Sequence, residues 1–309
     1  MFDFRYHALS LAAVLLALAV GVVIGVAIGD SNLVSSAKSG IVHDLSSEVQ
    51  GAQQQAETLR GQLSSEEAFA NDLYPIAVHG LLSGRSIGLV FLGGPSNRVN
   101  GLVRDAVTQA GGEEATVVAV RQPLDLAGIA RLGEGTRFAA LAPPASTPGE
   151  EATRSAASGE LLEDFGRIVG RQLVSGGANV TRELISRVRP RLLSAFDGQL
   201  ERLDGLVILR NEPTTLTPEQ AKASSQFETG LLTGVAAARI PVVGVELSTT
   251  EPSQIPWYQG KDISSVDDLD ATAGQAAMIY ALTGSHGAYG TKSTADSLLP
   301  NVVGASTQP

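Results

Sequence analysis

The chain has 309 residues, 32 acidic and 22 basic, with no cysteine, two methionines and four histidines. At 43% hydrophobic and 17% charged it can bury a core, while a net charge of −10 without a concentrated basic face excludes wrapping of nucleic acid. Zero cysteines removes disulfides, thiolate metal sites, iron–sulfur clusters and cysteine nucleophiles together.

Residues 1–30 read as a membrane segment. From Ala8 to Ile28 there is no charge and one polar side chain, Ser10. At about 1.5 Å per residue that helix is roughly 31 Å long, the thickness of a bilayer's hydrocarbon core. The run exceeds the roughly 7–15 apolar residues of a signal-peptide core. An uncleaved single-pass anchor is therefore expected rather than a signal cleaved after Gly29. Arg5 lies before the span and Asp30 after it. Cationic flanks favour the cytoplasmic side, so the N-terminus is expected in the cytoplasm and the bulk of the chain beyond the membrane. Gly21, Gly25 and Gly29 repeat every four residues and mark a helix face that a second helix can approach closely.

Residues 31–79 read as a stalk. Val42, Leu45, Val49, Ala52, Ala56, Leu59 and Leu63 fall at alternating spacings of three and four, followed by Ala70 and Leu73 after an interruption at Glu66. That is a heptad seam, predicting a coiled coil and hence a homodimer or higher oligomer. A single amphipathic helix packed on its own domain is the alternative. The small Ala52 and Ala56, with Gly51 and Gly61, weaken the seam, and confinement of the copies to one membrane compensates. Pro75 and the Gly80 to Gly84 stretch are expected to close the helix.

Residues 84–285 read as an extracytoplasmic α/β domain. A buried strand at Ser86 to Gly94, a helix through Val99, Leu102, Val103, Ala106 and Val107, and a strand at Ala115 to Val120 make a βαβ unit. The alternation continues with a strand at Arg137 to Ala142, a surface linker at Pro143 to Ser158, a helix at Glu160 to Val174 and a strand at Leu203 to Leu209. A helix starting at the capping box Thr217-Pro-Glu-Gln220 and running towards Ala238 follows, then a strand at Pro241 to Leu247 and a last helix ending before Gly284. The fold expected is Rossmann-like, three layers around a mostly parallel sheet. Residues 286–309 read as a flexible tail.

Few residues here suggest chemistry. Leu92-Gly93-Gly94-Pro95 stands where doubly wound folds bind phosphate, but its spacing is not that of a dinucleotide loop and Pro95 removes an amide donor. Gly29-Asp30-Ser31 has no strand before it, as a hydrolase nucleophile turn requires. Asp262, Asp267, Asp268 and Asp270 lack calcium-loop spacing and read as a solvated loop capping the last helix. His7, His43, His79 and His286 are dispersed, and Met278 sits on an apolar helix face. No nucleophile, base pair or cofactor site can be named, so a non-enzymatic chain is expected. Trp257 and Tyr258 form the one aromatic patch and a candidate interaction surface for other envelope proteins.

The stretch Phe4 to Gly25 (FRYHALSLAAVLLALAVGVVIG) resembles the opening of the mycobacterial copper transport protein MctB family of actinobacteria. The similarity continues at Ser86 to Phe91, at Ala110-Gly-Gly112, at Ile263 to Asp270 and at Gly287 to Thr291, nearly the whole chain. The resemblance implies an envelope protein of copper homeostasis or efflux, with copper as the transported ion and the outer membrane as its site. An outer-membrane pore is a closed β-barrel, whereas one apolar helix encloses no channel. Copper(I) favours Cys, Met and His, of which the chain offers little, so transport requires an oligomer or a partner. A coiled-coil scaffold with no metal role is the competing expectation.

Overall fold

A computed structural model describes residues 4–28, 31–141, 151–176, 179–211, 213 and 215–301. The chain divides into two compact units, Met1–Glu66 and Glu67–Pro309. The first contains α1 (Phe4–Ile28) and most of α2 (Ser31–Val78). Within α1 the stretch Tyr6–Ala27, 22 residues of mean hydropathy 2.8, is long and apolar enough to cross a membrane, and none of it is buried. Gly21 and Gly25 face open space, and Gly29 lies outside the described residues. On α2 the side chains of Leu45, Val49, Ala52, Leu59 and Leu63 are exposed and Ala56 is half-buried, while Val42 contributes described backbone only. Pro75 does not end α2. The helix runs on to Val78, and a turn with Gly80 at φ +73° closes it.

The second unit is built on β1 (Ser86–Gly93), β2 (Glu113–Val120), β3 (Leu193–Gly198), β4 (Gly205–Asn211), β5 (Val242–Val245), β6 (Ser264–Val266) and β7 (Ala288–Tyr289). They form one sheet in the order β3-β2-β1-β4-β5-β6-β7, parallel throughout except for β3, which runs antiparallel to β2. The mixed α/β fold with a mostly parallel sheet is thus the one expected. One face is covered by the end of α2 through Tyr74 and Val78, by α3 (Asn97–Gln109) and by α9 (Thr272–Leu282). The other is covered by α4 (Leu126–Leu132), α5 (Glu151–Ser175), α6 (Asn179–Leu192), α7 (Pro218–Ala236) and the short α8 (Ile255–Gln259). Local signals agree with this arrangement: Ser96 caps α3 by accepting from Val99 N, and Thr217 with Gln220 forms the full capping box of α7.

Several elements differ from expectation. Arg137–Leu141 is a 3₁₀ turn and not a strand, because Phe138 and Leu141, three apart, share its buried side. The helix α5 begins at Glu151, inside the stretch read as linker, whose Glu, Ala and Arg residues are good helix formers; Pro143 to Glu150 lie outside the described residues. Neither α6 nor the strands β3, β6 and β7 is marked by a long apolar run. β7, at Ala288–Tyr289, pairs with β6, so part of the stretch read as tail is the edge of the sheet; residues 302–309 lie outside the described ones.

The helices α5 and α7 cross with their backbones in contact. A Cβ on Gly166 would lie 2.2 Å from the Phe227 carbonyl oxygen, and one on Gly170 2.1 Å from that of Leu231. Reciprocally, a Cβ on Gly230 would meet the Glu163 carbonyl at 1.9 Å, and one on Gly234 that of Arg167 at 2.2 Å. Each helix thus offers two glycines four residues apart, and their missing side chains admit the partner's backbone. The aromatic stack Phe138, Phe165 and Phe227, with centroids 5.2 and 5.9 Å apart, fills the space beside the crossing.

Candidate functional site

In an open parallel sheet, functional groups collect at the carboxyl ends of the strands, above all where strand order reverses. Here the reversal lies between β1 and β4. It is closed by backbone: a Cβ on Gly93, at φ +120°, would stand 1.9 Å from the Asn211 carbonyl oxygen, and Asn211 Nδ2 donates to Gly94 O at 3.3 Å. The Gly93-Gly94-Pro95 loop therefore serves close approach of the ends of β1 and β4.

Beyond this point β4, β5 and β6 each carry a charged residue at or next to their carboxyl ends, and these charges belong to a largely buried network. Glu246 follows β5 and is fully buried; its carboxylate receives Lys292 Nζ at 2.6 Å, Ser253 Oγ at 2.8 Å and the backbone N–H of Gln254 at 2.5 Å. Lys292 Nζ also donates to the Thr250 carbonyl at 2.9 Å. Asp267 follows β6 and accepts from the backbone N–H groups of Thr291 at 2.8 Å and Lys292 at 3.1 Å, tying down the loop that carries the lysine. Arg210, in the last turn of pairing of β4, lies 3.4 Å from the buried Glu228 of α7 and donates to Gln254 Oε1 at 2.6 Å. Glu228 in turn accepts from Gln122 Nε2 at 2.7 Å. The segments around residues 247–254 and 290–292 are thereby fastened to the ends of β4, β5 and β6 through charged side chains, the kind of pairing that buried charge requires.

The aromatic pair belongs to this edge. Tyr258 is fully buried against Gly244, where a Cβ would meet its ring at 2.3 Å. Its hydroxyl accepts from Arg210 N at 2.8 Å and donates towards the carbonyls of Ile208 at 3.1 Å and Val245 at 3.3 Å, and burial pushes its pKa up. Trp257 is half-buried, with the Arg210 guanidinium 5.1 Å from its ring centroid.

The aspartates divide their roles. Asp270 accepts from Ser248 N at 2.8 Å and Ser248 Oγ at 2.9 Å and pairs with Arg98 at 3.2 Å. Burial pushes its carboxyl up, but these partners outweigh it and hold the group below its ordinary value. Asp262 is exposed and pairs with His286 at 3.2 Å, at the opposite end of the strands. Asp268 is buried, and neither carboxyl oxygen has a hydrogen-bond partner. Burial, then the charges of Asp267 and Asp270, raise its pKa from 3.8 to about 6. The acidic loop is therefore largely buried rather than solvated.

Asp268 gives a pH-dependent prediction. A carboxyl raised on folding costs nothing below about pH 4, where it is protonated in both states, and its stabilising protonated form is lost as pH rises through about 6. Asp268→Asn is expected to raise stability at pH 7.5 by about 1–2 kcal/mol, after allowance for screening, and to change nothing at pH 4. Urea titrations followed by the fluorescence of Trp257, the single tryptophan, measure the difference at both pH values; a gap that is largest at pH 4 contradicts the assignment.

Sequence reasoning found the aspartate loop and the aromatic pair but missed Glu246, Lys292, Arg210 and Glu228. A signal was present for two of them: Glu246 and Arg210 stand at the carboxyl ends of apolar strand runs. Among the described residues no group of three or more His, Cys, Asp or Glu is placed to hold a metal ion. Met278 is buried in the core, and His79 is exposed.

The structure thus defines a chain with an apolar helix fit for membrane anchoring and an α/β domain whose sheet edge is locked by an internally paired charge network. It belongs to the family described as copper transport outer membrane protein, MctB, whose pattern matches residues 1–300. The chain is similar to the copper transporter MctB of Mycobacterium bovis and to that of Mycobacterium tuberculosis, 27% identical to each over 345 aligned positions covering 94% of this chain and 96% of the relative.

Proposed function

We propose that this chain acts in copper homeostasis as a single-pass envelope protein, helping to carry copper out of the cell as an oligomer or together with a partner protein. The observation that carries this reading is family membership across residues 1–300, the apolar helix included. The relatives' name supplies copper as the transported ion. Thioether and imidazole ligands are few and dispersed along the sequence, which supports transfer by an oligomer or with a partner over transfer through one copy. α1 anchors the chain with its N-terminus in the cytoplasm and the α/β domain beyond the membrane. Self-association runs through Gly21 and Gly25 and through the exposed Leu45, Val49, Leu59 and Leu63, favoured because all copies share one membrane.

The oligomer is tested by cross-linking in membranes: Gly25→Leu combined with Leu59→Asp is expected to abolish the cross-linked dimer, and undiminished cross-linking removes this interface. The copper role is tested by growth. A strain lacking the chain is expected to be inhibited at lower external copper than its parent, whereas equal inhibition overturns the reading.

A further inference from the structure

We propose that the groove between α6 and β3 binds an aliphatic carboxylate, its anionic group held by Arg182 and Arg189 and its hydrocarbon lying on Ile185, Phe196 and Leu200. The helix α6 carries four arginines, and they fall into two pairs. Arg187 pairs with Glu183 at 3.1 Å and Arg191 with Asp125 at 3.4 Å. Arg182 and Arg189 line the groove and are fixed by other means. Arg182 donates through Nε and Nη2 to the Gly176 carbonyl at 3.2 and 2.8 Å, an oxygen that also accepts from the buried Gln172 Nε2 at 2.6 Å. Arg189 lies over the Phe196 ring, 4.7 Å from its centroid. Among the described residues neither guanidinium has a carboxylate within ion-pair distance, and Glu201 is the one acid lining the groove.

In a chain of net charge −10, two guanidiniums pinned by a carbonyl and by a ring, with no carboxylate partner among the described residues, keep N–H donors beyond those that Arg182 gives to Gly176. An arriving carboxylate breaks no existing ion pair, and it orders side chains that have already lost much of their freedom. The groove has a volume of about 510 Å³, within the range of sites for small molecules. Ile185, Arg189, Phe196 and Leu200 are shared with an inner recess of about 30 Å³ that, apart from Arg189 and Gln172, is lined by apolar residues such as Val118 and Leu173 between α5, α6 and the sheet. One end of the site is thus cationic and the other hydrocarbon. That polarity matches an amphipathic anion better than inorganic phosphate, which would leave the apolar wall unused.

The test uses the full chain in lipid nanodiscs, with octanoate as probe and equilibrium dialysis against empty nanodiscs as the baseline. Saturable binding at one site per chain is expected, at least about tenfold tighter than acetate, because each buried methylene contributes severalfold. Octanol, with a chain of the same length and no charge, is expected to bind at least about tenfold more weakly than octanoate. Arg182→Gln with Arg189→Gln is expected to weaken octanoate binding by at least about tenfold with an unchanged circular dichroism spectrum. Uptake no greater than that of empty nanodiscs, equal binding of acetate or of octanol, or undiminished binding to the folded double variant overturns the proposal.

Discussion

Gly230→Val is expected to lower the stability of the second unit by about 3 kcal/mol or more, the upper range for overpacking a core. A Cβ at that position would stand 1.9 Å from the Glu163 carbonyl oxygen, and this atom is helix backbone that cannot swing aside. The helices α5 and α7 would have to separate, and the separation would open the contacts of Phe165, Phe227 and Leu231, all buried. Gly101→Ala is the matched control. It lies within α3 with open space where its Cβ would be, so relief of backbone entropy is expected to stabilise by about 0.5–1 kcal/mol. Urea midpoints read from Trp257 fluorescence decide the matter; equal midpoints for Gly230→Val and the unaltered chain would show that the crossing is not set by these glycines.

Lys292→Met is the second large effect. The ammonium neutralises Glu246 at 2.6 Å where the carboxylate is fully buried, and removing one partner of a buried pair leaves an uncompensated charge worth about 3–5 kcal/mol. The glutamate's remaining donors, Ser253 Oγ and Gln254 N, cannot supply that charge. Adding Glu246→Gln to Lys292→Met is expected to restore more than half of the loss, because the amide keeps an acceptor for those donors and carries no charge. A double-mutant cycle measures the coupling. If the two losses simply add, the pair is not the element that locks the loops of residues 247–254 and 290–292 together.

The parts of this fold written in local signals were legible. The apolar run of α1, the all-apolar β1, the amphipathic α3 and the capping box at Thr217 each announce themselves within a few residues. What was not legible depends on partners distant in sequence. The strand β6 is Ser264, Ser265 and Val266, without the apolar run that marks a buried strand, and it becomes one only because β5 and β7 flank it. By propensity alone Gly166, Gly170, Gly230 and Gly234 only weaken a helix, and their use shows where the two helices cross. The glycines of α1 have the same four-residue spacing and drew attention first because the membrane context suggests it. At the carboxyl edge, Asp267 and Asp268 are neighbours in sequence, yet one is fully paired and the other has no hydrogen-bond partner. Composition cannot separate the two; only the return of the chain through Thr291 and Lys292 does.

The groove beside β3 was hidden for a related reason. The arginines of α6 alternate along the sequence as one basic cluster, and only the positions of Glu183, Asp125, Gly176 and Phe196 divide them into paired and unpaired sets.

The proposed function requires that the anchored chain lower cellular copper. The most direct measurement is cell-associated copper, determined by mass spectrometry at a fixed external concentration, in a strain lacking the chain and in that strain carrying either the full chain or a version without residues 1–30. Accumulation in the deleted strain, reversed by the full chain and not by the version without its apolar helix, is the result predicted. Equal copper in all of these strains and the parent would contradict it.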